Sequence, residues 1–321
     1  MQLTSLQKAL KISSTKSQIL SAQVGISTSD NQALAKNLNN RPSLDLICVI
    51  DKSGSMSGQK IELVKETLNY LLTLLNENDR LCLIEFQSYA NRIIPLTRCS
   101  KKNNSSLQRN INSIKATGGT SIDAGMSLAF KAIKDRKYVN QVTSIFLLSD
   151  GLDDGAQTKV QNSLNNFKLE GSFTINTFGF GSDHDPVLMS DIAKLKDGSF
   201  YYVEKLDTVD EMFVDALGGL FSVVAQDVQL EVKVNRQNKT FADISVKKTY
   251  GWMWKYDKQR DLYTINMQQL LSGVSKEFLL DIEVPAIKAK LQDHERNTVF
   301  IEVTLKAKDV SADKKEIVKQ A

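Results

Sequence analysis

The chain has 321 residues, of which 41% are hydrophobic and 24% charged, enough for two modest globular domains with real cores. Its 41 basic and 37 acidic residues are intermixed and leave a formal charge of only +4, so no basic stripe argues for nucleic acid or an anionic membrane surface. The opening residues lack an apolar leader block and no run of about 18 apolar residues follows, which leads us to expect an intracellular protein without a membrane span.

Taken in chain order, the first element is "ILSAQVGIS", where Leu20, Ala22, Val24 and Ile26 alternate with other residues. Residues 1–41 are therefore read either as a polar tail or as carrying a strand, about 18–27, that joins a sheet built much later in the chain. From residue 42 to 224 the rhythm alternates between two kinds of segment. "LDLICVI" (Leu44 to Ile50), "LCLIEF" (Leu81 to Phe86), "VTSIFLL" (Val142 to Leu148), "FTINTF" (Phe173 to Phe178) and "SFYYV" (Ser199 to Val203) read as buried strands. "NRIIPL" (Asn91 to Leu96) reads as an antiparallel edge strand, because Pro95 cannot donate to a ladder. Helical periods run from Ile61 to Leu75, from Ile122 to Ile133 and from Val209 to Val224. Apolar strands alternating with helices predict an α/β, Rossmann-like, doubly wound domain with a mostly parallel six-stranded sheet flanked by helices.

Residues 225–321 change to period-2 alternation in "VQLEVKV", "FADISVKK", "LYTINM", "EFLLDIEV" and "TVFIEVTLKA", with no helix between them. That predicts an antiparallel β-sandwich domain, ending in a charged tail that is either frayed or a further edge strand. Trp252 and Trp254 fall on one side of a predicted strand and are expected in its core. Cys48, Cys82 and Cys99 are odd in number and are expected as reduced, buried thiols. The Asn-x-Ser/Thr matches at Asn103, Asn104 and Asn238 carry no glycosylation meaning without a secretory signal.

Chemistry concentrates in "VIDKSGSMSG" (Val49 to Gly58), at the end of the first central strand. Asp51, Ser53 and Ser55 then lie in a loop at the carboxyl edge of the sheet, where open α/β sheets bind ligands. "ATGGTSIDAG" brings Thr120 to the same edge and "LLSDGLDDG" brings Asp150. Three hydroxyls and two carboxylates, without sulfur or imidazole, are hard oxygen donors that select Mg²⁺, with Mn²⁺ or Ca²⁺ as alternatives.

At these residues the chain resembles the von Willebrand factor type A domain, also called the integrin I domain fold, over roughly Leu44 to Val224. The metal-ion-dependent adhesion site of that family has the signature Asp-x-Ser-x-Ser, then a distant Thr and a distant Asp. Asp51, Ser53, Ser55, Thr120 and Asp150 fill all five positions in that order. The resemblance implies that Ser53, Ser55 and Thr120 ligate the metal, that the two aspartates act directly or through water, and that a partner's Asp or Glu completes the shell. Families that resemble this arrangement and place a β-sandwich after such a domain include relatives of the inter-alpha-trypsin inhibitor heavy chain and plant and protist proteins that add a ubiquitin-ligase zinc finger, and "RPSLDLICVIDKSGSMSG" looks most like the latter, intracellular group. This chain has no Cys/His zinc cluster, so ligase activity does not carry over.

Other chemistry fits less well. Gly54 and Gly58 have the wrong spacing for a phosphate loop, and Lys60 is not followed by Ser or Thr. "SGQK" (Ser57 to Lys60) matches Ser-x-x-Lys without its companion motifs. Aspartyl-phosphate enzymes of this topology carry a second Asp where Ser53 stands, and His184 and His294 alone give a Ser-His-Asp arrangement little to draw on. Asp185 followed by Pro186 reads as a helix N-cap and first helical residue, with His184 exposed beside it. Asp153 and Asp154 read as an exposed acidic loop that could also repel acidic partners. The expectation is a non-enzymatic module that binds an acidic residue of a protein partner through the metal. The alternative is a structural subunit of a large intracellular assembly that docks through other surfaces.

Overall fold

The computed structural model describes residues 2–6, 16–29, 41–150, 152–182, 184–203, 209–237, 242–286, 299–310 and 316–320. Two compact units divide the chain, one formed by Asn37–Val223 and the other by Met1–Lys36 together with Val224–Ala321. The discontinuous unit opens with β1 (Gln2–Leu6) and β2 (Gln18–Ser27).

The continuous unit then runs β3 (Leu44–Asp51), a 3-10 turn (Gly54–Met56), α1 (Gln59–Leu74), β4 (Arg80–Phe86), β5 (Ala90–Arg98), α2 (Lys101–Asn112) and α3 (Ile122–Lys134). It continues with β6 (Val142–Ser149), α4 (Ala156–Phe167), β7 (Thr174–Phe180), α5 (Pro186–Lys194), β8 (Phe200–Val203) and α6 (Val209–Phe221). Its six strands lie in the order β5-β4-β3-β6-β7-β8. β5 is antiparallel and every other pairing is parallel. The ladder between β4 and β5 shifts register between Leu81 and Leu83, which face Thr97 and Ile94. Pro95 sits in that irregularity, where a missing donor costs nothing.

Every residue of β3, β6 and β7 is buried, which is why these strands read as unbroken apolar runs rather than alternating ones. On one face Ile47, Val49, Ile145, Leu147 and Ile175 pack under Met126, Phe130, Val160 and Ile192 of α3, α4 and α5. On the other, Phe213 of α6 stacks on Phe178 at 4.1 Å between ring centres and meets Phe146 edge-on at 5.8 Å. Cys48, Cys82 and Cys99 are buried and unpaired, and burial pushes the thiols of Cys82 and Cys99 up to about 12.

Helices α2 and α4 go beyond the expected elements, whereas α5 begins at Pro186, where the Asp185–Pro186 pair predicts a helix entry. α2 is polar apart from buried Leu107 and Ile111, and α4 buries only Ala156, Val160 and Leu164, a stripe too narrow to stand out as a period. α6 also stops sooner than expected, at Phe221, because Val223 and Val224 already belong to the next strand.

That strand, β9 (Val223–Val234), returns the chain to the discontinuous unit, followed by β10 (Ser245–Thr249), β11 (Lys255–Asp257), β12 (Leu262–Leu271), β13 (Ser275–Val284), β14 (Ile301–Asp309) and β15 (Glu316–Gln320). One antiparallel sheet has the order β1-β2-β13-β10 and the other β11-β12-β9-β14-β15. Val24, Ile26, Leu280 and Ile282 of the first share one buried cluster with Leu230, Val232, Ile265 and Leu305 of the second. β2 pairs with β13 along its whole length, from Gln18 facing Val284 to Ser27 facing Ser275. The tryptophans correct the expectation: neither lies in a strand, Trp252 is exposed, and Trp254 alone packs on this core, edge-on to Phe278. Their segment bends at Gly251, whose φ of +94° suits glycine, before β11 begins. Asn238 and His294 lie outside the described residues.

Candidate metal centre

The chain goes from β3 outward to β4 and β5, then crosses back to β6 and outward to β7 and β8. The strand order therefore reverses between β3 and β6, and the carboxyl ends of these two strands flank the crevice in which doubly wound sheets hold ligands. Asp51 is the last residue of β3, and Asp150 directly follows β6.

Asp51 is wholly buried and held at both oxygens. Its Oδ1 accepts from the backbone N–H of Ser53 at 2.7 Å, and its Oδ2 accepts from the Ser149 hydroxyl at 2.5 Å. Burial is the largest influence on this carboxyl and raises its pKa; the two hydrogen bonds oppose that rise, and nearby Asp150 adds to it. Ser53 opens the 3-10 turn, where the Met56 N–H donates to its carbonyl at 3.1 Å, and Gly58 with φ of +79° turns the chain into α1. The turn aims both hydroxyls the same way: Ser53 Oγ and Ser55 Oγ are 3.0 Å apart, and Ser55 donates to Asp150 Oδ1 at 2.8 Å. Lys60, in the first turn of α1, donates to Asp150 Oδ2.

Thr120 reaches this edge through its loop. The Gly54 N–H donates to the Gly118 carbonyl at 2.9 Å and the Thr117 N–H to the Lys52 carbonyl at 2.6 Å, which zips the loop onto the Asp51–Ser55 segment. Gly118 has φ of +84°, and a Cβ there would lie 1.6 Å from Gln87 Oε1, so glycine is required both for conformation and for space. The third loop is tied in by Asp153, whose Oδ2 accepts from the Ile122 N–H at 2.8 Å and so caps the start of α3 from outside that helix. Its side chain is only 10% exposed, which corrects the expectation of an exposed acidic pair; Asp154 is the exposed one.

Hydrogen bonds thus link Asp51, Ser53, Ser55 and Asp150 in one chain, and the loop that carries Thr120 is bonded to the Asp51–Ser55 segment through its backbone. The donor set fits a hard divalent cation. Around Mg²⁺ with bonds of 2.0–2.1 Å, neighbouring oxygens of an octahedral shell lie about 3 Å apart. Ser53 Oγ, Ser55 Oγ and Asp150 Oδ1 stand 3.0 and 2.8 Å apart in turn, hydrogen-bond distances that would also let them share one ion. Among the described residues no group of three or more His, Cys, Asp or Glu could hold a metal, so a cation here depends on the hydroxyls.

His184 stands apart and is buried rather than exposed, at 8%. Its Nδ1 donates to the Gly181 carbonyl at 2.6 Å, and its ring lies against Phe200 and Tyr202 on the β7–β8 side of the sheet. A Cβ on Gly179 would come within 2.5 Å of that ring, so glycine in β7 makes room for it. Asp185 does cap α5, accepting from the N–H groups of Val187 and Leu188 at 2.9 and 3.0 Å. Sequence reasoning missed Ser149, which orients Asp51, and left Lys60 without a role. The signals were the last strand residue before Asp150 and a cation in the first turn after the serine loop.

A family model for the von Willebrand factor type A domain matches residues 45–214, slightly more than half of the chain. The chain belongs to that family. Von Willebrand factor type A domains are protein-interaction modules. An Arabidopsis thaliana protein named "Probable E3 ubiquitin-protein ligase WAVH2" is 28% identical over 251 residues, 76% of this chain and 33% of that protein. The E3 ubiquitin-protein ligase WAV3 of the same plant is 24% identical over 247 residues, 77% of this chain and 32% of that protein. The chain therefore spans about a third of the length of these two relatives. Among solved structures, a von Willebrand factor type A protein from Catenulispora acidiphila superposes with a TM-score of 0.71 at 17% identity, covering 100% of this chain and 72% of that one. The ArnB paralog VWA2 from Sulfolobus acidocaldarius gives 0.59 at 15% identity, covering 100% of this chain and 73% of that one. At such identities these likenesses speak for the fold alone. No helix among the described residues is long and apolar enough to cross a membrane.

Proposed function

We propose that this chain is a non-enzymatic protein-interaction module that holds Mg²⁺ at Asp51, Ser53, Ser55, Thr120 and Asp150 and captures an Asp or Glu of a protein partner there. Mn²⁺ or Ca²⁺ could serve the same donors. The observation that carries the reading is the run of hydrogen-bonded oxygens from Ser53 through Ser55 to Asp150 at the strand-order reversal.

When bound, a divalent ion supplies a Lewis-acidic centre whose largely neutral hydroxyl donors leave it attractive to an incoming carboxylate. Asp51 acts on the serines' side of the site, since its Oδ1 fixes the Ser53 backbone and its Oδ2 is anchored by Ser149. Asp150 orients Ser55. A hydrolytic role is not proposed: His184, the histidine on this sheet edge, gives its Nδ1 to Gly181, buries its Nε2 without a hydrogen-bond partner among the described residues, and packs against Phe200 and Tyr202. The ligase activity named for the Arabidopsis relatives is not part of the proposal. With three cysteines and two histidines in all, this chain cannot build a two-zinc ligase finger.

The test is affinity capture from native cell extract with the full chain as bait, in Mg²⁺, in chelator, and with Thr120→Ala in Mg²⁺. The same partner should be retained by the wild type in Mg²⁺ and lost in the other two arms. Equal retention in all three would assign association to other surfaces and sink the metal-mediated reading.

A further inference from the structure

We infer that Lys60 is a tethered counter-ion of the metal centre: its ammonium neutralises Asp150 in the metal-free protein, a divalent cation enters by displacing it, and Lys60 thereby limits how tightly the cation is held. This rests on the metal-binding reading above and goes beyond it, because Lys60 is not one of the proposed ligands.

Lys60 Nζ donates to Asp150 Oδ2 while Ser55 Oγ holds Oδ1. The Asp150 side chain is 0% exposed, whereas that of Lys60 is 26% exposed. A carboxylate so buried is expensive without a countercharge. Locally, Lys60 is in the wrong place for a cation, because the first turn of a helix carries the positive end of the helix dipole. The chain nevertheless puts a lysine there, two residues after Gly58, whose φ of +79° suits glycine, and its side chain meets Asp150.

A divalent cation drawn to the same carboxylate faces the ammonium at close range, and like charges that share one partner exclude each other. Lysine suits a displaceable role, since its charge sits on a flexible four-carbon stem and Lys60 already reaches solvent at one side. Two states follow. In one the ammonium sits on Asp150, and in the other the metal holds it and Lys60 points to water. The site is never left as a bare pair of buried carboxylates, and the metal's apparent affinity is reduced by whatever holds Lys60 in place.

The experiment titrates Mn²⁺ into the full chain by electron paramagnetic resonance at fixed pH and salt, for wild type, Lys60→Met, Lys60→Gln and Lys60→Arg, and records thermal midpoints in chelator and in saturating Mn²⁺. Lys60→Met and Lys60→Gln should bind Mn²⁺ about tenfold tighter than wild type, the scale of a typical coupling between two ligands at one site. Both should have lower midpoints in chelator, with the gap to wild type closing in Mn²⁺. Lys60→Arg, which keeps the charge, should bind like wild type. Unchanged or weaker Mn²⁺ binding by both neutral variants, with wild type binding normally, would overturn the role of Lys60 and leave the metal centre standing. Failure of every variant to bind Mn²⁺ would overturn both.

Discussion

Asp79 is wholly buried, and its oxygens accept from the Arg41 guanidinium, from the Leu44 N–H at 2.9 Å and from the Asn76 N–H at 2.8 Å. The same guanidinium lies 3.7 Å from the centre of the Phe221 ring, so one carboxylate ties the entry of β3 to the end of α6. Removing one member of such a pair leaves a buried charge without compensation. Asp79→Ala should therefore destabilise the protein by about 3–5 kcal/mol, read as a loss of midpoint in chemical denaturation with an unchanged slope; a loss below about 1 kcal/mol would mean that Arg41 finds water. What was legible at this scale depended on chain distance. Asp51, Ser53 and Ser55 announce themselves by spacing, because they share one turn. Ser149 and Lys60 serve partners some 90 or more residues away, and their roles appear only once β3 and β6 are known to be neighbours.

Among the elements, α3 places Thr120's loop by where it rests. Gly125 faces the sheet, and a Cβ there would lie 2.8 Å from both Phe86 Cδ1 and Val49 Cγ1, atoms of strands β4 and β3 that have no room to retreat. Gly125→Ala should lift the helix off the sheet, cost about 1–3 kcal/mol, and weaken Mn²⁺ binding through displacement of Thr120. Full stability by thermal unfolding would show that α3 can slide to accommodate a methyl group. The periodicity of α3 was plain in the sequence because Ile122, Met126, Ala129, Phe130 and Ile133 bury a wide stripe. α2 and α4 bury too few apolar residues to show a period, and their helicity follows from the sheet they cover.

At the level of the whole chain, the unit containing β9–β15 is incomplete without residues that precede the metal-binding unit. β2 supplies Val24 and Ile26 to its core and a ten-residue ladder to β13. A chain beginning at residue 37 should keep the six-stranded unit as a protease-resistant core of residues 41–223, while the β9–β15 portion is cleaved or aggregates through the bared β13 edge. Limited proteolysis with mass spectrometry decides this, and survival of residues 224–321 as a resistant fragment would refute it. The period-2 pattern of residues 18–27 was legible, but its destination was not, because alternation says that a strand has one buried face and nothing about which strand lies beside it.

The pairing of β2 with β13 also sets a timetable. Ser21 donates to Asp281, 260 residues further along the chain. At ribosomal rates of about 5–20 residues per second, β2 emerges tens of seconds before β13, its partner on that side, exists. Throughout that interval the entire six-stranded unit can be made and folded, since its own strands pair within a single continuous stretch. The newborn protein can therefore carry a finished sheet edge, with its aspartates and serines in position, while β2, paired with β1 on one side, still waits for β13 on the other.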